Sequence, residues 1–341
     1  MPGADDVLAV SLLVAAVLYA VTGGADYGAG LWDLLASGPR AAAQRALIER
    51  SIAPIWEANH VWLIFIVTVL FAAFPPAYAA ISIALHVPMT ILLLGIVARG
   101  AAFVFRAYDT RGDRVQRRWG LVFSIASIVS PVFLGVLVGS IASGEIHFEG
   151  DVLASGFAHP WSTTAFPWAV GALALVLFAY LAAIYLAYAA EERALADDFR
   201  ARALATAMIA ALLAVATLAL ARSEAPAIYA DLLHAPFAMA LFGGTAAAAL
   251  VTVVALLRRR YGIARVAAAV QVALVVLGWG AAQAPYLLTG ELTYREASSP
   301  PEVQRAILGV VALGAPLLGG ALVYMFRVFH RTAPRATDRE E

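Results

Sequence analysis

Apolar residues in this chain come in long blocks separated by short, arginine-bearing polar stretches. A helix needs about 20 mostly apolar residues to cross a membrane. Nine stretches qualify, at 7–23, 54–74, 77–99, 120–142, 168–189, 203–221, 237–257, 266–284 and 304–326. Ala and Leu, strong helix formers, dominate them. Alternation with period two is absent, which argues against a β-barrel. The pattern therefore predicts an all-α integral membrane protein. Phe74-Pro75-Pro76 predicts a tight hairpin between the second and third spans. Pro54 falls where the second span opens, a position that has no helical use for an N–H. Pro88 and Pro131 lie inside spans and predict kinks. Gly135 and Gly139, four apart, allow close helix contact. The N-terminal segment lacks the basic region of a signal peptide and carries Asp5 and Asp6, so it is read as a retained first span.

Composition agrees with that class. The 341 residues are 62% hydrophobic and 13% charged. A soluble domain carries about 25% charged residues, so this chain cannot cover a water-facing surface of matching size. Disorder is excluded by the same figures. The 23 basic residues are balanced by 23 acidic ones, which excludes nucleic-acid binding through a basic surface. There is no Cys, hence no disulfide, thiolate metal site or cysteine nucleophile. There is no Lys, which removes Schiff-base and P-loop chemistry.

The neutral sum hides an asymmetry. Loops after odd-numbered spans, with the C-terminal tail, hold 19 of the 23 arginines. The opposite side has only Arg222, Arg295 and Arg305, and Arg99 falls within a span. The positive-inside rule then predicts an outer N-terminus and a cytoplasmic C-terminus. Split this way, the inner side holds 20 Arg against 13 acidic residues and the outer side 3 against 10.

Ionisable groups in spans are expensive and are functional candidates by default. The densest case is SIAPIWEANHVW, residues 51–62. A helix starting at Pro54 puts Glu57 and His60 three apart on one face, with Trp56, Asn59 and Leu63 on a neighbouring one. The first span ends in GGADYGAG, residues 23–30, so Asp26 and Glu57 reach the same depth at the predicted cytoplasmic end. Two readings stand. The acids and His60 form a proton-uptake route, since a carboxyl held away from water exchanges protons closer to neutral pH. Otherwise Asp26 caps a short amphipathic helix near 30–37 and Glu57 pairs with an arginine. Arg99 either pairs with one of these acids or snorkels to the headgroups.

His86 is placed mid-span, hydrogen-bonded to a neighbouring helix rather than ligated. His147, His159 and His234 fall in or near outer loops, and His330 in the tail. No two histidines stand at i+3 or i+4, so there is no local metal signature. Only His60 and His86 lie in spans, at different depths, so a haem held by this chain alone is not expected. Trp119, Trp161, Trp168, Tyr188 and Tyr261 mark span ends as an aromatic belt.

AVTGGADYGAGLWDLLA followed by SIAPIWEANHVWLIFIVTVLFAAFPPAYAA resembles subunit II of the cytochrome bd-type quinol oxidases. LHVPMTILLLGIVARGAAFVFR and the late loop AQAPYLLTGELTYREASSPPEVQRAIL are similar to the same family, in its cyanide-insensitive branch. The resemblance covers the first 106 residues and about the last 60. It implies two four-helix bundles plus one peripheral helix. These are assigned as an N-terminal bundle of about 1–142, a C-terminal bundle with the peripheral helix at about 143–330, and a tail at 331–341.

It also implies a heterodimer in the bacterial inner membrane. A subunit I carries two b-type haems, haem d and the quinol site, and subunit II carries no haem; a structural quinone or lipid is left open. Quinol is oxidised on the outer side, and oxygen is reduced with protons from the cytoplasm. In the family an acid in W-[DE]-x-N and an Asp in G-x-D-x-G are implicated in that route. Here they are Glu57 and Asp26, with Asn59 and His60 beside them and Trp56, Trp62 and Arg99 as structural or interface neighbours. Many members have Asp at position 57, and Gln or Glu at position 60. Two other classes compete: a free-standing proton-coupled transporter, and a haem-carrying cytochrome using His60 and His86.

Overall fold

The first helix runs much further than its apolar block. In the computed structural model, which describes residues 3–52, 56–108, 113–150, 152–154, 156 and 159–332, α1 (Ala4–Leu18) passes through one π-turn (Tyr19–Gly23) into α2 (Gly24–Leu34) without a break. Only the backbone is described at 52, 56–58, 106–108, 113, 114, 116 and 325–332. The expected end at residue 23 and the separate short helix near 30–37 are therefore corrected: Asp26 sits inside one 31-residue span.

Gly23 and Gly24 look like a stop signal in sequence, but here they keep helical dihedrals, and Gly24 has φ −57°. The glycines of this stretch serve close approach instead. A Cβ on Gly28 would collide with the backbone of Phe178, and one on Gly30 with the Ser127 side chain.

After α3 (Ala41–Ile52), the next span is α4 (Trp56–Ala73). The chain then turns by 115° at Phe74 into a short helix, α5 (Pro75–Ala84), which opens on Pro75 and Pro76. The third span is α6 (His86–Tyr108). This corrects the expected hairpin and the expected span at 77–99. The turn leads into α5, and the second limb begins at His86 after a break at Leu85. His86 is accordingly the exposed first residue of α6 rather than a mid-span group. Pro88 sits in the first turn, where a proline leaves the helix straight. Pro54 lies outside the described residues.

The rest follows as α7 (Asp113–Ser143), α8 (His159–Ser162), α9 (Phe166–Ala189), α10 (Arg193–Glu224), α11 (Pro226–His234), α12 (Ala238–Leu257), α13 (Tyr261–Gln283) and α14 (Pro301–Thr332). Pro131 lies within α7, as expected. The only strands among the described residues are two antiparallel hairpins, β1 (Phe148–Glu149) with β2 (Val152–Leu153) and β3 (Tyr286–Leu288) with β4 (Leu292–Thr293). Among the described residues eight helices are long and apolar enough to cross a membrane, α1–α2 counted as one, and the bent α4–α5 pair makes a ninth.

The core gathers around α9, which packs against α2, α7, α10 and α13. Gly135 and Gly139 do what their spacing suggested. A Cβ on Gly135 would stand 2.6 Å from Cα of Gly171, and one on Gly139 2.6 Å from Cα of Pro167. Helix α14 touches α1 and α4 and buries none of its apolar stretch.

Side-chain contacts tie each end of the bundle. At the arginine-rich end Arg40 pairs with Asp198 at 2.5 Å, and Arg259 with Asp197 at 3.1 Å. At the opposite end Tyr294 donates to Asp6 at 2.7 Å, and His147 meets Glu291 at 2.8 Å.

Candidate functional site

The site grows out of the π-turn. A π-turn holds one residue more than an α-turn. In a regular α-helix residues eight apart are rotated by about 80°. With one residue absorbed by the π-turn, the eighth stands where the seventh would, two turns on and on the same face. Tyr19 and Tyr27 are so related, and their hydroxyls meet at 3.0 Å. The widened turn also offers its carbonyls to side chains. Tyr185 donates to the Val21 carbonyl at 3.4 Å, Asn59 to that of Thr22 at 3.3 Å, and the Thr22 hydroxyl to Leu18 at 2.7 Å.

Asn59, in the first turns of α4, also donates from Nδ2 to Asp26 Oδ2 at 2.5 Å. Asp26 is only 4% exposed and Asn59 also 4%. Facing them from α6 is Arg99, 2% exposed, whose guanidinium interacts electrostatically with Asp26. Its Nε donates to Ser127 Oγ of α7 at 3.1 Å. The guanidinium plane lies over the rings of Tyr27 at 4.8 Å and Phe123 at 5.0 Å, a cation–π arrangement. Its Nη2 has no hydrogen-bond partner among the described residues. Of the two alternatives for Arg99, burial of the side chain speaks against snorkelling, and its charge acts on Asp26 without an ion-pair contact between the two among the described residues.

His60 follows Asn59 on α4, and its Nε2 lies 3.4 Å from the Tyr27 hydroxyl. The His60 ring meets Tyr19 and Tyr27 edge-on, at 6.4 and 6.3 Å. Trp62 is half-buried against the α9 core. Trp56 and Glu57 occupy the first turn of α4, three residues before Asn59 and His60 respectively. Their side chains lie outside the described residues, so the Glu57 expectation rests on that placement.

Four of the expected residues thus come together: Asp26, Asn59, His60 and Arg99. Four neighbours escaped the sequence reading. Tyr19 and Tyr27 escaped because residues eight apart in a regular α-helix are rotated by about 80° and do not stand one above the other. Asp33, 5% exposed, accepts from Ser124 at 3.5 Å, and Ser127 holds Arg99. The spacing of seven between Asp26 and Asp33 puts both acids on one face and could have drawn attention to the second. Among the described residues no three His, Asp or Glu gather as metal ligands. The arrangement is a desolvated acid between an amide and a guanidinium, next to a histidine hydrogen-bonded to one phenol that a second phenol backs. It can hold and pass protons.

A family model for cytochrome bd terminal oxidase subunit II matches residues 4–329. A putative cytochrome bd menaquinol oxidase subunit II of Bacillus subtilis (strain 168) is 24% identical, over 96% of this chain and 96% of that protein. Cytochrome bd-I ubiquinol oxidase subunit 2 of Escherichia coli (strain K12) is 35% identical over 135 residues, 39% of this chain and 35% of its own length. Among solved structures, a chain of the bd oxidase from Geobacillus thermodenitrificans has the same fold. Its TM-score is 0.79 at 24% identity, covering 96% of this chain and 98% of that one.

Proposed function

The chain belongs to the cytochrome bd terminal oxidase subunit II family, and on that premise we propose that it is the haem-free subunit of a quinol:oxygen oxidoreductase and supplies its proton-uptake route. Its partner is a haem-bearing subunit I. Haems b and d on that partner carry electrons from quinol to oxygen. Residues of this chain bring protons from the arginine-rich end, which is taken as cytoplasmic, with the N-terminus outside. The membrane is the bacterial inner membrane. The halves at about 1–142 and 143–330 are read as the two bundles of one membrane unit.

The observation that carries this reading is the desolvated Asp26–Asn59–Arg99 cluster, about two turns inside the arginine-rich end of the first span. A buried carboxylate in lipid is retained only where it is partnered, and such groups mark ion and proton pathways. Asn59 and Arg99 hold the Asp26 carboxylate by a hydrogen bond and by charge. Glu57 stands one turn before His60 on α4, and we read it as the entry residue of the same route.

The histidine placement supports a haem-free chain. His60 lies in the second turn of α4, against Tyr27. His86 is exposed where α6 begins, at the far end of α4, roughly 20 Å of helix away. Two axial ligands must face each other across one haem, and these two do not.

Glu57→Gln tests the route. In the assembled two-subunit complex oxygen consumption is expected to fall by about tenfold or more. Full turnover in an assembled complex rejects the route, and loss of assembly points to a structural cluster.

A further inference from the structure

Inside the bilayer a phenol hydroxyl needs a partner. Here two phenols take each other and one reaches on to a histidine. Tyr19 is 3% exposed and Tyr27 1%, yet both hydroxyls are placed by a helix irregularity rather than by ordinary periodicity. The Tyr27 ring is fixed on two sides. Phe178 stacks on it at 6.3 Å with an interplanar angle of 18°, and the Arg99 guanidinium covers it at 4.8 Å. A ring clamped this way holds its hydroxyl in one position, and that position is 3.4 Å from His60 Nε2.

We propose that Tyr27, backed by Tyr19, is a positioning residue that orients His60 within the proton route. Tyr19 donates its O–H to the Tyr27 oxygen, and Tyr27 donates its own to Nε2. The His60 ring then keeps its proton on Nδ1, in one tautomer and one rotation. Chained hydrogen bonds polarise one another, so the outer hydroxyl strengthens the inner contact. The inference rests on the reading of this cluster as a proton route.

The experiment uses the complete two-subunit oxidase with Tyr27→Phe, Tyr19→Phe, His60→Gln and the double variant Tyr27→Phe/His60→Gln. Phenylalanine keeps the stack on Phe178 and the cover by Arg99, so only the hydroxyl is lost. Tyr27→Phe is expected to lower kcat for oxygen consumption about fivefold with the quinol KM unchanged, and Tyr19→Phe about twofold. Because Tyr27 acts through His60, the double variant is expected to be no slower than His60→Gln alone. Unchanged kcat in Tyr27→Phe or in His60→Gln overturns the proposal, and so do multiplicative losses in the double variant. If Tyr27→Phe fails to assemble, Tyr19→Phe against His60→Gln carries the same non-additivity test. Glu57→Gln, measured alongside, separates the two levels. Full turnover there defeats the route itself, whereas a slow Glu57→Gln with an unaffected Tyr27→Phe defeats only the positioning role.

Discussion

Helix α7 meets its neighbours along two seams of opposite chemistry. Towards α9 it closes through Gly135, Gly139 and Gly171, backbone against backbone. Towards α2 and α6 it presents Ser124 and Ser127 to Asp33 and Arg99. In lipid, apolar burial between helices gains little, because the acyl chains are as apolar as the side chains. The glycine seam is therefore stabilised by close packing, and it tolerates no added atom. The polar seam is stabilised by mutual satisfaction of groups that lipid would leave stranded, so it tolerates changes that keep shape and hydrogen bonding. Substitutions at the glycine seam should fail by assembly, and at the polar seam by graded losses of stability or turnover in a complex that still assembles.

The largest expected effect is at the close-packed contacts. Gly28→Ala places a methyl against the Phe178 backbone, which has no side-chain freedom with which to yield. Overpacking costs about 1–3 kcal/mol where neighbours can shift, and more where they cannot. No assembled complex is expected on purification. Recovery of normal amounts would show that α2 and α9 can separate without loss.

Next comes Asp26→Asn, which keeps shape and amide-compatible hydrogen bonding while removing the charge. Assembly should survive, with oxygen consumption down about tenfold. Loss of assembly with no slowing of the residual complex would move this group to the structural side of the comparison. Ser127→Ala removes the hydroxyl that accepts from Arg99 Nε. A lost bond to a charged group is worth about 1.5–3 kcal/mol. The melting temperature of the complex should fall by a few degrees, with turnover less affected than by Asp26→Asn.

The smallest effect lies outside the membrane, in the turn that follows β4. Glu296 accepts from the Thr293 backbone N–H at 2.9 Å and the Thr293 hydroxyl at 2.7 Å, which holds its carboxyl below the usual range. The sign follows from that depression. The contribution is fully present above the free carboxyl value, about 4.3, and is lost as pH falls through the lower folded value. Amide exchange over residues 286–297, taken relative to the intrinsic rate at each pH, should therefore quicken on acidification in the native complex. In Glu296→Gln that acceleration should be absent, and an identical response would dismiss the contact as inconsequential.

The long apolar blocks made the spans legible, and the glycine pair on α7 announced the close contact that it makes. The break at Leu85 carried no such sign. Residues 77–99 are mostly apolar, no proline or glycine stands at Leu85 itself, and Pro88, three residues on, reads as a kink inside a span. Gly23 and Gly24 misled for the opposite reason. Glycine ends helices when it takes positive φ, but in a membrane it also lets helices touch, and only the neighbour decides which. Asp26, Asn59 and Arg99 were legible as costly polar groups. The tyrosines were not, because their partnership depends on a turn that no residue type marks.

The π-turn makes residue number, as distinct from residue identity, part of what the first span encodes. An α-helix that takes in one extra amino acid as a π-turn keeps the faces on either side pointing where they were. By the same reasoning, deleting one residue from Val21–Gly23 would relax the turn to an ordinary helix while α1 and α2 kept their orientations. Few transmembrane helices could absorb such a deletion. The loss here would fall on the Val21 and Thr22 carbonyls, which now receive Tyr185 and Asn59. In the language of insertions and deletions, Asn59 is held in part by a single additional codon.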